Sequence, residues 1–235
     1  MRAGDAALLF LSAASGATDV IAFVLLGHVF TSAMTGNTAL LGLALGTRDA
    51  AAAGRSAFAL AGFLCGIVAA TWLHPHRAAR SLRPLFLVEM VLVAAFALAW
   101  PAFAADGAAA THALIFLSAL AMGMQGLTAR EASRFGITTI VFTSALLRIA
   151  ETAARRVLRR AEAVKERRHA AREFSAYLAY AGAAAFAALF LRAHARWLVW
   201  LPALAVAAAA LCYEIAELAA EKGREQYREA QRLSP

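Results

Sequence analysis

Residues 6–30 read AALLFLSAASGATDVIAFVLLGHVF, an apolar run whose only charged side chain is Asp19. A helix needs roughly 20 mostly apolar residues to cross the hydrocarbon core of a bilayer. This run is long enough, and it lacks the period-2 alternation of a membrane strand. Arg2 followed by apolar residues resembles a secretory leader. The run continues well past Ser12 and Gly16, however, too far for a cleaved segment, so it reads as a retained membrane helix.

Five more stretches of this kind follow, at 53–73, 84–103, 108–127, 173–192 and 196–216. Two apolar stretches are too short to cross. One is 33–47, opening Ala33-Met34-Thr35-Gly36-Asn37; the other is 137–147, which runs into Arg148. Composition agrees with a membrane protein. Of 235 residues 62% are hydrophobic and 16% charged, whereas a soluble domain carries about 25% charge and at most about half apolar residues. The expectation is an all-α, polytopic transmembrane helical bundle of about six spans, forming a single domain over 1–235.

The net charge of +8 would fit nucleic acid if the charges lay on one soluble face, but they lie between the spans. With the 74–83 loop in the cytoplasm, all of the 23 Lys and Arg except Arg48, Arg55, Arg192 and Arg196 fall inside. That is the positive-inside bias. It predicts cytoplasmic N- and C-termini, and no nucleic-acid partner. Trp72, Trp100, Trp197 and Trp200 all fall at predicted span ends, where amphipathic rings sit. The basic stretch 148–172 is predicted to be a cytoplasmic helix, with Glu151 and Arg155 spaced i,i+4. Arg155, Arg156, Arg159 and Arg160 are candidate contacts for anionic lipid, against the plainer reading of a solvated face. The tail 217–235 mixes Glu with Lys and Arg and reads as a solvated cytoplasmic segment.

The chain also repeats. Residues 6–104 and 108–216 share an order of parts: a span, a short apolar segment opening with Thr and small residues, then two spans. Thr35-Gly36 aligns with Thr143-Ser144 of Thr138-Thr139-Ile140-Val141-Phe142-Thr143-Ser144-Ala145, and Gly16 with Gly123. Three crossings per unit would turn the second unit upside down. The prediction is an inverted 3+3 repeat with two short, interrupted, re-entrant helices, an arrangement common in transporters.

Several of these segments resemble the YoaK-like bacterial membrane proteins, a family of unknown function. The resemblance rests on Ala14-Ser15-Gly16-Ala17-Thr18-Asp19 and on Gly27-His28-Val29-Phe30-Thr31-Ser32-Ala33-Met34-Thr35-Gly36-Asn37-Thr38. It continues in Gly62-Phe63-Leu64-Cys65-Gly66, Glu89 and Gly123-Met124-Gln125. It covers most of the chain and implies six spans in a bacterial inner membrane; it supplies no substrate. The chain departs from the family in having Thr143-Ser144 where Thr-Gly tends to recur, and in a longer basic insertion at 155–172.

Ionisable groups inside a membrane cost about 2.5–3.5 kcal/mol on insertion scales and mark pathways more often than packing. Six residues are therefore candidates for a solute or proton site: Asp19, Thr35, Gly36, Asn37, Glu89 and Gln125. Each has a plainer alternative. Asp19 could be a helix-packing carboxylate satisfied by nearby hydroxyls and amides, and Glu89 a snorkelling or capping one. Thr35 or Asn37 could cap the short helix, while Gln125 could bond across helices. Gly36 would let a ligand or backbone approach closely. Gly62 and Gly66 read as a close helix contact, and Arg148 and Glu214 as interfacial. Cys65 and Cys212 read as buried small side chains. His74-Pro75-His76 lacks a neighbouring carboxylate or thiol for metal, and His28 and His112 read as interfacial. No hydrolase, metalloprotease or phosphate-loop motif occurs, and nothing calls for a cofactor or a catalytic residue. The sequence thus points away from an enzyme. It favours a small-solute transporter, with a proton as a candidate coupling ion. A non-transporting scaffold, sensor or partner subunit is the alternative.

Overall fold

The computed structural model describes residues 3–74, 81–103, 107–132, 142–157 and 164–233. Eight helices occur in these residues: α1 (Ala3–Leu25), α2 (Met34–Thr47), α3 (Ala50–Leu73), α4 (Arg83–Phe103), α5 (Ala108–Ala132), α6 (Phe142–Val157), α7 (Val164–Leu198) and α8 (Leu201–Leu233). Six helical segments are long and apolar enough to cross a membrane, matching the six predicted spans. The last two run Arg168–Leu191 and Ala193–Gln226, the second with a kink at His194 close to its start.

Two sequence boundaries move. The first apolar run was expected to stay helical to Phe30, but α1 ends at Leu25. Gly27 (φ 85°) and His28 (φ 63°) enter the left-handed region, and the His28 amide bonds back to the Phe23 carbonyl at 3.0 Å. This is a Schellman stop, in which glycine removes the Cβ clash. Hydropathy cannot register it, because Leu25 to Phe30 stay mostly apolar. Gly27→Ala is expected to cost about 1 kcal/mol for the left-handed backbone, read as a lower unfolding midpoint in detergent. A Cβ there would also press on the Arg55 side chain.

The second shift concerns 137–147, whose helix, described from Phe142, runs on through Arg148 to Val157; residues 158–163 of the basic stretch 148–172 lie outside the described residues. Thr138 to Val141, His76, Arg77, Arg80, Arg159 and Arg160 lie outside the described residues. The short segment 33–47 does form a helix of its own. It turns into α3 through Arg48, in the left-handed conformation (φ 59°), and Asp49, whose carboxylate caps α3 by accepting from the Ala52 amide at 2.9 Å.

The outward surface carries large apolar side chains such as Leu43, Leu64, Leu98, Leu189 and Leu204. Exposed to water, such a belt would be an aggregation surface; facing lipid, it needs no cover. Trp72 and Trp197, 80% and 74% exposed, end α3 and α7. α1 and α5 lie innermost.

The packed pairs follow a pattern. α3 lies along α5, and α7 along α1. α4 lies against α5, and α8 against α1. α2 folds on α3, and α6 on α7. α1 meets α5, and α4 meets α8. Exchanging α1–α4 for α5–α8 in order reproduces these pairs, while a slight α3–α4 contact has no counterpart of that extent between α7 and α8. The glycines obey the same exchange. A Cβ on Gly16 of α1 would strike the Tyr180 carbonyl of α7, and one on Gly123 of α5 would strike the Phe63 carbonyl of α3. Gly62 and Gly66 of α3 similarly meet the Phe116 and Leu120 carbonyls of α5. With little hydrophobic force between helices in lipid, backbone approach of this kind is what holds them together.

Candidate functional site

Asp19 faces inward from α1 and is 1% exposed. One carboxylate oxygen accepts from the main-chain amides of Thr31 (2.9 Å) and Ser32 (2.7 Å). The other accepts from the Ser32 hydroxyl (2.6 Å) and the Tyr180 hydroxyl (2.8 Å). Four donors therefore converge on one acid, with N–H and O–H groups pointing at all of its acceptor sites. Asp19 thereby fastens the loop after α1 and joins it to α7.

Asn37 holds the same loop from the other side. Its side-chain oxygen accepts from the Phe30 amide (3.0 Å), and its NH2 donates to the Phe30 carbonyl (2.6 Å). Neither Asn37 nor Thr35 caps α2: the residue before the helix is Ala33, and no side chain bonds there. Thr35 is exposed. Gly36 admits the Phe30 ring, which would lie 3.1 Å from an added Cβ, and Phe30 stacks on Phe23. Thus Asp19, Gly36 and Asn37 all act on the segment Phe30–Ser32, and Thr35 sits beside it.

Gln125 and Glu89 make other contacts. The Gln125 NH2, fully buried on α5, donates to the Leu11 carbonyl (2.7 Å) and the Ser15 hydroxyl (2.7 Å) of α1. Its oxygen is buried with no hydrogen-bond partner. Glu89, in the first third of α4, has no exposed surface, and neither carboxyl oxygen has a partner. The Thr128 hydroxyl of α5 lies beside it but donates to the Met124 carbonyl (3.1 Å). The candidates thus fall into a loop clasp around Asp19 and Asn37 and two helix contacts, Gln125 with α1 and Glu89 beside Thr128 of α5.

Sequence reading missed Tyr180, Ser32, Ser15 and Thr128. Tyr180 is 161 residues from Asp19, and a lone tyrosine in an apolar span carries no local signal. Ser32 lay inside the signature and could have been suspected. A second polar group was missed as well: Asp5 pairs with Arg172 (3.0 Å) and His169 with buried Glu173 (3.2 Å). They sit at the end of the bundle where α1 and α7 begin, beside a shallow groove lined by Leu8, Leu9 and Ser175. At the start of α4, Arg83 makes a two-pronged pair with Glu214 of α8 (2.7 and 2.6 Å).

A family profile described as "Protein of unknown function (DUF1275)" matches residues 7–212. The UPF0700 transmembrane protein YoaK of Bacillus subtilis (strain 168) is 37% identical over 146 residues, which are 61% of this chain and 64% of that protein. The chain therefore matches somewhat under two thirds of the length of this curated relative. No solved structure matches. With six helices of crossing length and a transmembrane relative, the chain is a multi-pass membrane protein.

Proposed function

We propose that this chain, which belongs to the DUF1275 family of YoaK-like membrane proteins and inherits no assigned activity from it, is a small-solute transporter rather than an enzyme. The observation that carries the reading is the exchange of packed helix pairs between α1–α4 and α5–α8. Each half would hold three crossing helices and one short helix, so the halves would be inverted relative to each other. Inverted halves can rock about their shared seam and expose a central site to each side in turn. The seam here is the α1–α5 and α4–α8 contacts. In this reading α2 and α6 are the re-entrant helices, and the Asp19 and Asn37 clasp on Phe30–Ser32 is the contact that opens and closes. The solute would be small, entering near Thr35, Gly36 and Asn37, with a proton as coupling ion. Both termini would be cytoplasmic in the bacterial inner membrane, with Arg155, Arg156, Arg159 and Arg160 near anionic headgroups.

The test is uptake into liposomes holding the purified protein, under a pH gradient. Asn37→Ala is expected to reduce flux at least tenfold by releasing Phe30. Unchanged flux in both Asn37→Ala and Asp19→Asn would sink this site.

One observation favours a second reading. Asp19, Asn37 and Gln125 each bond a nearby loop or helix, as they would in a non-transporting scaffold, sensor or partner subunit. The charged end of α8 would then be its working surface. Cutting at Gly223 should abolish function in that case while leaving the bundle folded; in the transporter reading, flux survives the cut.

A further inference from the structure

We propose that Glu89 is a proton-binding site, holding an exchangeable hydrogen on its own carboxyl group, and that Asp19 is not. This deepens the transporter reading by naming the residue that would carry the coupling proton, and it rests on that reading only for the proton's use.

The two acids are equally buried and oppositely surrounded. Asp19 receives four hydrogen bonds, all from donors: two main-chain amides and two hydroxyls. A hydrogen placed on Asp19 would have to displace one of them. Glu89 receives none. Its neighbour on α5, the Thr128 hydroxyl, lies beside it and donates to the Met124 carbonyl at 3.1 Å, a bond it would have to give up to turn its one hydrogen to Glu89. Two acceptors facing each other in a dry contact repel unless a hydrogen lies between them. The carboxyl group can supply it.

The elements around α4 offer no substitute among the described residues. On α5, the Gln125 NH2 is committed to Leu11 and Ser15, leaving only its oxygen free. At the start of α4, Arg83 is held by both oxygens of Glu214 on α8. The Tyr213 hydroxyl of α8 is anchored at the Leu82 amide, from which it accepts, seven residues before Glu89 in the chain. Arg83 is also six residues from Glu89, about 9 Å along the helix. Arg130, two residues beyond Thr128 on α5, is exposed and turns to Glu131 (3.5 Å), so among the described residues no cation pairs with Glu89.

Gln125 precedes Thr128 by three residues on α5, and its oxygen is a further buried acceptor with no partner. A proton that left Glu89 would leave a charged acid with no donor hydrogen-bonded to either oxygen.

The experiment is infrared spectroscopy of the purified protein in lipid at neutral pH, comparing wild type, Glu89→Gln and Asp19→Asn. The wild type should show the carbonyl stretch of a neutral carboxylic acid in a dry environment. Glu89→Gln should lose that band, and Asp19→Asn should keep it. Loss of a carboxylate band instead, in Glu89→Gln, overturns the proposal. As an arm that needs no variant, wild-type protein is treated with dicyclohexylcarbodiimide, an apolar reagent that modifies protonated carboxyls. Peptide mass mapping should place the adduct on Glu89; an adduct on Asp19 with none on Glu89 overturns the proposal. Neither readout uses transport. If Glu89 carries the proton while no flux is found, the transporter reading fails alone.

Discussion

Asp19→Ala should lower the stability of the bundle by about 3–5 kcal/mol, a loss reserved for buried charged networks. The substitution strands the Thr31 and Ser32 amides, which are fixed by the chain and cannot turn elsewhere. The Ser32 and Tyr180 hydroxyls can rotate, so they contribute less. Tyr180→Phe removes one donor and leaves three, and should cost only about 1 kcal/mol. Asp19→Asn keeps one oxygen but turns an NH2 group toward donors, so it should fall between. Unfolding midpoints in detergent would give the order Tyr180→Phe, Asp19→Asn, Asp19→Ala. A mild effect for Asp19→Ala would mean the loop is held by something else.

Gly123→Leu should be comparably damaging by a different route. A Cβ on Gly123 would occupy the space of the Phe63 carbonyl, a backbone atom that no rotamer change can clear. α3 and α5 would have to separate along the most extensive helix contact in the bundle. Overpacking normally costs about 1–3 kcal/mol, more where backbone must move. Gly16→Leu should cost a similar amount at the α1–α7 contact, because the Tyr180 carbonyl is placed the same way. Gly182→Leu is the control. Nothing lies within 4 Å of its added Cβ, so its effect should stay within about 0.5 kcal/mol. Equal losses at Gly16 and Gly123 would also support the exchange between halves.

Much of this fold is legible in the chain, because span length and loop charge are bulk properties that the bilayer reads directly. Runs such as 84–103 and 53–73 matched α4 and α3 closely. Gly16 and Gly123, singled out in the sequence, both lie against a backbone carbonyl of a neighbouring helix. Other features depend on single dihedrals or distant partners. Gly27 and His28 end α1 by turning left-handed, inside residues that stay mostly apolar. Asn37 looked like a helix cap but reaches back seven residues to Phe30. Asp19 and Glu89 look alike as lone acids in apolar runs. What separates them is Tyr180 and the loop amides on one side, and the already committed hydroxyl of Thr128 on the other. None of those follows from local sequence.

Transport itself is the central claim, and proteoliposome uptake tests it most directly. Liposomes holding the wild-type protein would be given a defined mixture of small metabolites, with and without an imposed pH gradient, and their contents read by mass spectrometry. The account predicts that at least one solute accumulates with the gradient, and that its accumulation collapses in Glu89→Gln while that variant stays folded. Folded wild-type protein that accumulates nothing beyond empty liposomes, in either condition, would contradict it.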